Sequence, residues 1–213
     1  GMLILVFIIT MALCAVLAVG QNSRVYESEQ LDRVGYGDVT SWIIEQPGVE
    51  ELIDQIEELR GTEKTERQKI KQVLYKAGKK QTQNNGMLAV YEPENYDYYI
   101  YKEDLTGIQK NPKEPKDGEM YVSPSFITMY GVDIGDSVEI QIAGEEKQMR
   151  FTIRGFFEDP FAGSSMMGVK TMLINKASME ELEQNALMAG DASTVADAEM
   201  LHIFQKKDSG QKT

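Results

Sequence analysis

Residues Met2 to Val19 contain no charged side chain, and the chain that follows them is strongly polar. At ~1.5 Å rise per residue such a run makes a helix of roughly 27 Å, close to the hydrocarbon thickness of a bilayer. Inside lipid every backbone amide must be satisfied within the segment, which leaves the helix as its available form. From Gln21 onward the chain carries too much charge to sit in lipid. The sequence therefore predicts a transmembrane helix over residues 1–20 and an extracytoplasmic domain over residues 21–213.

The flanks of the run separate this reading from two others. A secretory signal places basic residues ahead of its apolar stretch; none is present, and Ala18-Val19-Gly20 makes only a fair cleavage site. A lipoprotein signal needs a small residue before its cysteine, and Leu13 precedes Cys14. A core helix would show a polar face, which this run lacks. The expectation is an anchor truncated at its cytoplasmic end, with Gly1 ahead of Met2 reading as the remnant of a tag.

Some 190 residues remain, enough for one ordinary domain or two small ones. A formal charge of −12 repels phosphate and argues against a nucleic-acid partner. The sole cysteine, Cys14, lies in the apolar run, so the polar part has neither disulfide nor cysteine-based metal site.

Along the chain, Asp38 to Ile44 is β-branched and aromatic and reads as a strand. Val49, Leu52, Ile53, Ile56 and Leu59 then recur at helical spacing, with Glu50 and Glu51 in the first turn and Gly61 as a stop. Glu63 to Lys80 fits helix and strand equally. Gln83-Asn84-Asn85-Gly86 reads as a turn before a strand at Met87–Tyr91, and Tyr98 to Tyr101 as another strand. Gln109 to Gly118, with Pro112 and Pro115, reads as a loop. Strands are expected at Glu119–Val122, Ser137–Ile142, Gln148–Phe157, Lys170–Ile174 and Met200–Phe204, with a hairpin turn at Ala143–Glu146. Ser123-Pro124 should open a short helix ended by Gly131, and Ser178 with Glu181 should box the start of a helix reaching Leu187. The middle of the chain thus suggests a small β-barrel or β-roll flanked by α/β pieces, an α+β fold.

Tyr121-Val122-Ser123-Pro124-Ser125-Phe126, Tyr130 to Val138 with its Gly131 and Gly135-Asp136, and Phe151 to Phe157 with its Gly155-Phe156 follow one another in that order. This arrangement resembles the extracytoplasmic domain of FtsX-like ABC transporter permeases, of the MacB-like periplasmic core domain type. The resemblance implies a two-lobed ectodomain after the first membrane helix. One lobe is α/β, about 21–86 and 158–213, and a smaller β-rich lobe is inserted at about 87–157. It also implies an ATP-binding subunit, further permease transmembrane helices and the membrane as partners. Lys206 to Thr213 is a polar tail where the family continues into another helix.

No catalytic, cofactor-binding or metal site emerges from the residues. His202, the sole histidine, lies between Leu201 and Ile203 on an expected strand and reads as a half-exposed structural residue. Gly35-Tyr36-Gly37 fails the dinucleotide fingerprint because Thr40 stands where its third glycine belongs. Glu92, Glu94 and Asp97 lack the spacing of a calcium loop. Tyr91, Tyr96, Tyr98, Tyr99 and Tyr101 suit half-buried strands better than a cation-binding surface. Asp159 to Gly168 is a glycine-rich loop whose Phe161, Met166 and Met167 are the candidate partner-binding residues, with covering the β-lobe as the alternative.

The function expected is a non-enzymatic permease ectodomain coupling ATP-driven helix motion to export or to handling of an extracellular peptide or lipid-linked substrate. The alternatives are a ligand-sensing receptor ectodomain and, if the apolar run is cleaved, a secreted solute-binding protein.

Overall fold

The computed structural model describes residues 36–44, 46–142, 147–188 and 198–206, together with Thr10, Met11, Leu17 and Gly20 of the apolar run, all four helical. The expected transmembrane helix as a whole, the turn at Ala143–Glu146 and the tail after Lys206 lie outside the described residues. Among the described residues no helix is long and apolar enough to cross a membrane.

The fold is α+β. Its strands are β1 (Val39–Ile44), β2 (Thr62–Ala77), β3 (Lys80–Val90), β4 (Glu119–Val122), β5 (Ser137–Ile142), β6 (Gln148–Phe156), β7 (Lys170–Ile174) and β8 (Ala198–Gln205). The helices are α1 (Val49–Glu58), α2 (Ser125–Tyr130) and α3 (Lys176–Met188). The sheet runs β1-β8-β2-β3-β7-β4-β6-β5, and β5 pairs back onto β2. Six strands therefore close into a barrel, while β1 and β8 continue the sheet as an open extension.

Strand β2 belongs to both regions. Thr62 to Ile70 pairs with β8, whereas Val73 to Ala77 pairs with β5 on the same side and with β3 on the other. The segment that fitted helix or strand equally is thus a 16-residue strand. Helical spacing would have buried one stripe, but Gln68, Ile70, Lys71, Val73, Tyr75 and Ala77 are all buried, on two faces. Strands from both expected lobe segments meet in the barrel, because β7 and the end of β2 complete it.

Inside the barrel Tyr75, Leu88, Met120, Phe126, Ile140, Phe151 and Phe156 form one apolar core with α2 over its end. Tyr75 stacks on Phe126 at 5.4 Å and shares a 2.7 Å hydrogen bond with Tyr130. The hairpin turn between β2 and β3 lies at Gly78-Lys79, and Gln83–Gly86 is strand. Gly78 has φ +66°, and a Cβ there would stand 2.2 Å from the Tyr130 carbonyl oxygen, so no other residue turns this corner without moving α2.

Two caps differ from expectation. Helix α2 starts at Ser125 with no side-chain cap, since Ser123 Oγ pairs with Ser125 Oγ at 2.6 Å instead. Helix α3 starts at Lys176, where Asn175 Oδ1 accepts from the Ser178 amide at 2.9 Å. Ser178 Oγ is turned to the Gly118 amide, so no capping box forms. Tyr98–Tyr101 makes only isolated bridges, Ile100 to Phe157 and Tyr101 to Ile108.

On one face of the extension, α1 packs Val49 and Ile53 against Leu201, while Leu52 and Leu59 of the same stripe remain exposed. Arg67 fixes the helix further, its guanidinium donating to both Glu50 oxygens at 2.8 Å and to Glu199 at 2.5 Å.

Candidate functional site: the glycine-rich loop and the aromatic cluster

The loop after β6 is held from below by two buried charges. Asp159 Oδ1 accepts from the Phe161 and Ala162 amides at 3.0 and 2.9 Å. Lys170, fully buried at the head of β7, donates from Nζ to the Ala162 carbonyl at 2.9 Å and to the Ser164 carbonyl. Burial raises the Asp159 pKa against the opposing pull of the Ala162 amide, the Thr171 hydroxyl, the Phe161 amide and Lys170. Burial likewise lowers that of Lys170, against the Asp159 charge. The two opposite charges each favour the other's ionised form, with the loop amides the larger support for Asp159. Gly163 fits the curl because a Cβ there would stand 2.2 Å from the Asp159 carbonyl oxygen.

This clasp divides the three candidate residues. Phe161 turns inward, its ring 5.4 Å from Tyr36. Met166 and Met167 turn outward, 93% and 40% exposed. The loop thus joins an inner aromatic contact to an outer methionine surface.

The inner contact is a cluster of rings at one end of the extension. Tyr36, just ahead of β1, stacks on His202 at 4.7 Å and 8°, with Tyr96 6.2 Å away. Tyr98 bridges to the sheet, accepting from Gln68 Nε2 at 3.1 Å and donating to the Val90 carbonyl at 3.2 Å. Burial raises the Tyr36 pKa, and the nearby Asp159 carboxylate adds to it. Of the tyrosines from Tyr91 to Tyr101, Tyr91 and Tyr96 are buried, and Tyr98, Tyr99 and Tyr101 are half-buried.

His202 is fully buried rather than half-exposed. Thr40 Oγ1 donates to the Tyr36 carbonyl at 2.8 Å and lies 2.9 Å from His202 Nδ1. The threonine's one proton being spent, Nδ1 must be the protonated nitrogen. That leaves Nε2 as a lone pair with no donor among the described residues, as also holds for Gln68 Oε1 and Asp159 Oδ2. Burial lowers the His202 pKa to about 4, partly offset by Glu66 and the Tyr36 backbone. The imidazole is neutral and faces the tyrosine rings and the Thr40 hydroxyl, whose proton goes to the Tyr36 carbonyl rather than to the ring. No group of three metal-ligating side chains occurs among the described residues.

Sequence reasoning passed over Asp159, Lys170 and Tyr36. A lysine heading the otherwise uncharged run Thr171 to Ile174 was the available signal for the clasp. Gly37, next to Tyr36, marked a close approach of backbone, since a Cβ there would stand 2.7 Å from the Ile203 carbonyl oxygen.

No family model and no curated protein matches the chain. Among solved structures, the chain is similar to extracellular and periplasmic domains of ABC-type permeases. The extracellular domain of the ABC-type transporter YknZ from Gram-positive bacteria is 10% identical over 74% of this chain and 73% of that one, with a TM-score of 0.35. The periplasmic region of MacB from Actinobacillus actinomycetemcomitans is 9% identical over 86% of this chain and 82% of that one, with a TM-score of 0.37.

Proposed function

We propose that this chain is the extracytoplasmic domain of an ABC transporter permease subunit, anchored in the cell membrane by residues 1–20. It couples ATP-driven movement of the membrane helices to export or handling of a substrate outside the membrane. Residues of about 87–157 form the β-rich lobe of this reading. Residues of about 21–86 and 158–213 form the α/β lobe, which lends β7 and the end of β2 to the first.

The observation that carries the reading is the continuity of β2. The strand runs without interruption from the β8 ladder, next to where the chain enters the sheet at β1, into the closed barrel. Displacement at the entry is delivered to the barrel through one backbone, as a shear or tilt of packed elements rather than as chemistry.

The test is topological. In a Cys14→Ser background, Thr106→Cys and Ser165→Cys should each label with an impermeant maleimide in intact cells. Labelling only after lysis would overturn the reading.

A further inference from the structure

On the sheet face opposite α1, a cleft of about 400 Å³ crosses the strands of the extension and the start of the barrel. Trp42 and Ile44 of β1 make one wall, Met87 and Val169 the other, with Ala198 and Ile70 between them. The register explains the depression. Ile44, Ala198 and Ile70 stand side by side on β1, β8 and β2, so a methyl group separates two branched side chains. From β1 to β3 is three interstrand steps, roughly 14 Å. A space of this length and volume is narrow, on the order of one extended hydrocarbon chain in section, and its size falls in the range of ligand sites.

We infer that this cleft binds the single aliphatic chain of a non-anionic amphiphile. No lining side chain is ionisable, and the polar groups offered are the amides of Gln72 and Asn85, so nothing within it holds a carboxylate or ammonium. The whole chain carries −12, which repels an anionic head group at the mouth. That mouth opens beside the side of β1 that has no strand partner among the described residues, where Trp42 and Ile44 are 53% and 50% exposed. Exposed tryptophan and isoleucine at a sheet edge are costly in water and useful against an apolar ligand. The apolar run ends at Val19 and β1 begins at Val39, a separation of at most ~66 Å when extended. Membrane-derived amphiphiles are therefore within reach of the cleft. The inference rests on the membrane anchor of the proposed reading, though not on transport itself.

Trp42 is the sole tryptophan and reports on its own wall. The full chain in phosphatidylcholine vesicles is titrated with lysophosphatidylcholine bearing a dibrominated chain, which quenches tryptophan on contact. The expected result is saturable quenching of half or more of the emission, and at least tenfold weaker quenching by the anionic lysophosphatidylglycerol analogue. Ala198→Leu fills the cleft, and Ile44→Asp sets a carboxylate on its exposed lip without touching the core. Each should weaken binding at least tenfold, and Ile44→Asp decides the matter if Ala198→Leu melts early. Absent quenching, non-saturable quenching, quenching unchanged in Ile44→Asp, or a preference for the anionic analogue would each overturn the site.

Discussion

The barrel and the open extension share one sheet and even one strand, yet they solve opposite problems. The barrel has no edge: β5 returns to β2, and its lumen holds side chains such as Leu88, Val122, Phe151 and Ile174 at zero exposure. Closure satisfies the strand ladders from within and fills the lumen with side chains. The extension ends at β1, which among the described residues pairs only with β8. Its two faces are covered unevenly, by α1 on one and by the tyrosine cluster at one end of the other. Buried polar atoms without partners, half-exposed Trp42 and the cleft all fall in or beside this region. Stability is concentrated in one half of the sheet and interaction surface in the other.

The largest effect should come from opening the closed half. Phe126→Ala removes a ring at zero exposure that stacks on Tyr75 and meets Tyr130 at 5.2 Å. Such truncations cost about 3–5 kcal/mol. Leu52→Ala, on the exposed side of α1 at 52%, should stay within about 0.5 kcal/mol. Chemical denaturation of both variants measures the contrast, and equal costs would remove the distinction between the regions.

A medium effect should appear with pH, with its largest single source in the extension. His202 has its pKa lowered to about 4 by burial, against ~6.5 in an unfolded chain. Between these values the unfolded state binds a proton that the native state refuses, so stability falls as pH drops from 6.5 towards 4. The loss is at most about 3 kcal/mol. Asp159, raised by burial, works in the opposite sense as it approaches protonation. Glu66, Tyr36 and Tyr96 are the other titratable groups facing the ring. His202→Phe keeps the stack on Tyr36 and removes the titration, so its melting temperature should vary less than the parent's from pH 7 to 4.5. Parallel curves would mean that the ring is reached by solvent.

How much of this was legible differs between the regions for a physical reason. Strands β5, β6 and β7 alternate or run apolar over their length, so composition marks their bounds to within a residue. β2 was ambiguous because Ile70, Val73, Leu74 and Ala77 are spaced as a helix face while Val73-Leu74-Tyr75 reads as strand, and the ladder to β5 that decides it, such as Tyr75 to Ile140, is long-range. The turn was misplaced because Gln83, Asn84 and Asn85 are polar where β3 is not buried, and Gly86 is a buried strand residue close to Tyr75, while Gly78 supplies the turn's positive φ. In the site, Phe161, Met166 and Met167 were legible as apolar residues on a glycine-rich loop. Their division between inside and outside depends on Asp159 and Lys170, whose burial follows from long-range packing.

That division gives the smallest expected effect on stability and the sharpest test of the loop. Phe161→Ser removes a ring packed on Tyr36 and sets a hydroxyl among the aromatics, and should cost about 2 kcal/mol. Met166→Ser with Met167→Ser alters two exposed side chains on a loop whose backbone is fixed by Asp159 and Lys170, and should leave melting within a degree or two. Methionine is flexible and polarisable, a side chain suited to a surface that meets a partner and wasteful on one that does not. On the proposed permease reading, the double change should therefore lower transporter activity in cells while leaving the basal ATPase of the nucleotide-hydrolysing subunit near its parent value. Normal cellular activity with normal stability would remove the methionines from the functional surface. A large drop in melting temperature would show that they cover the sheet rather than face a partner, and would make the loop an extension of the barrel.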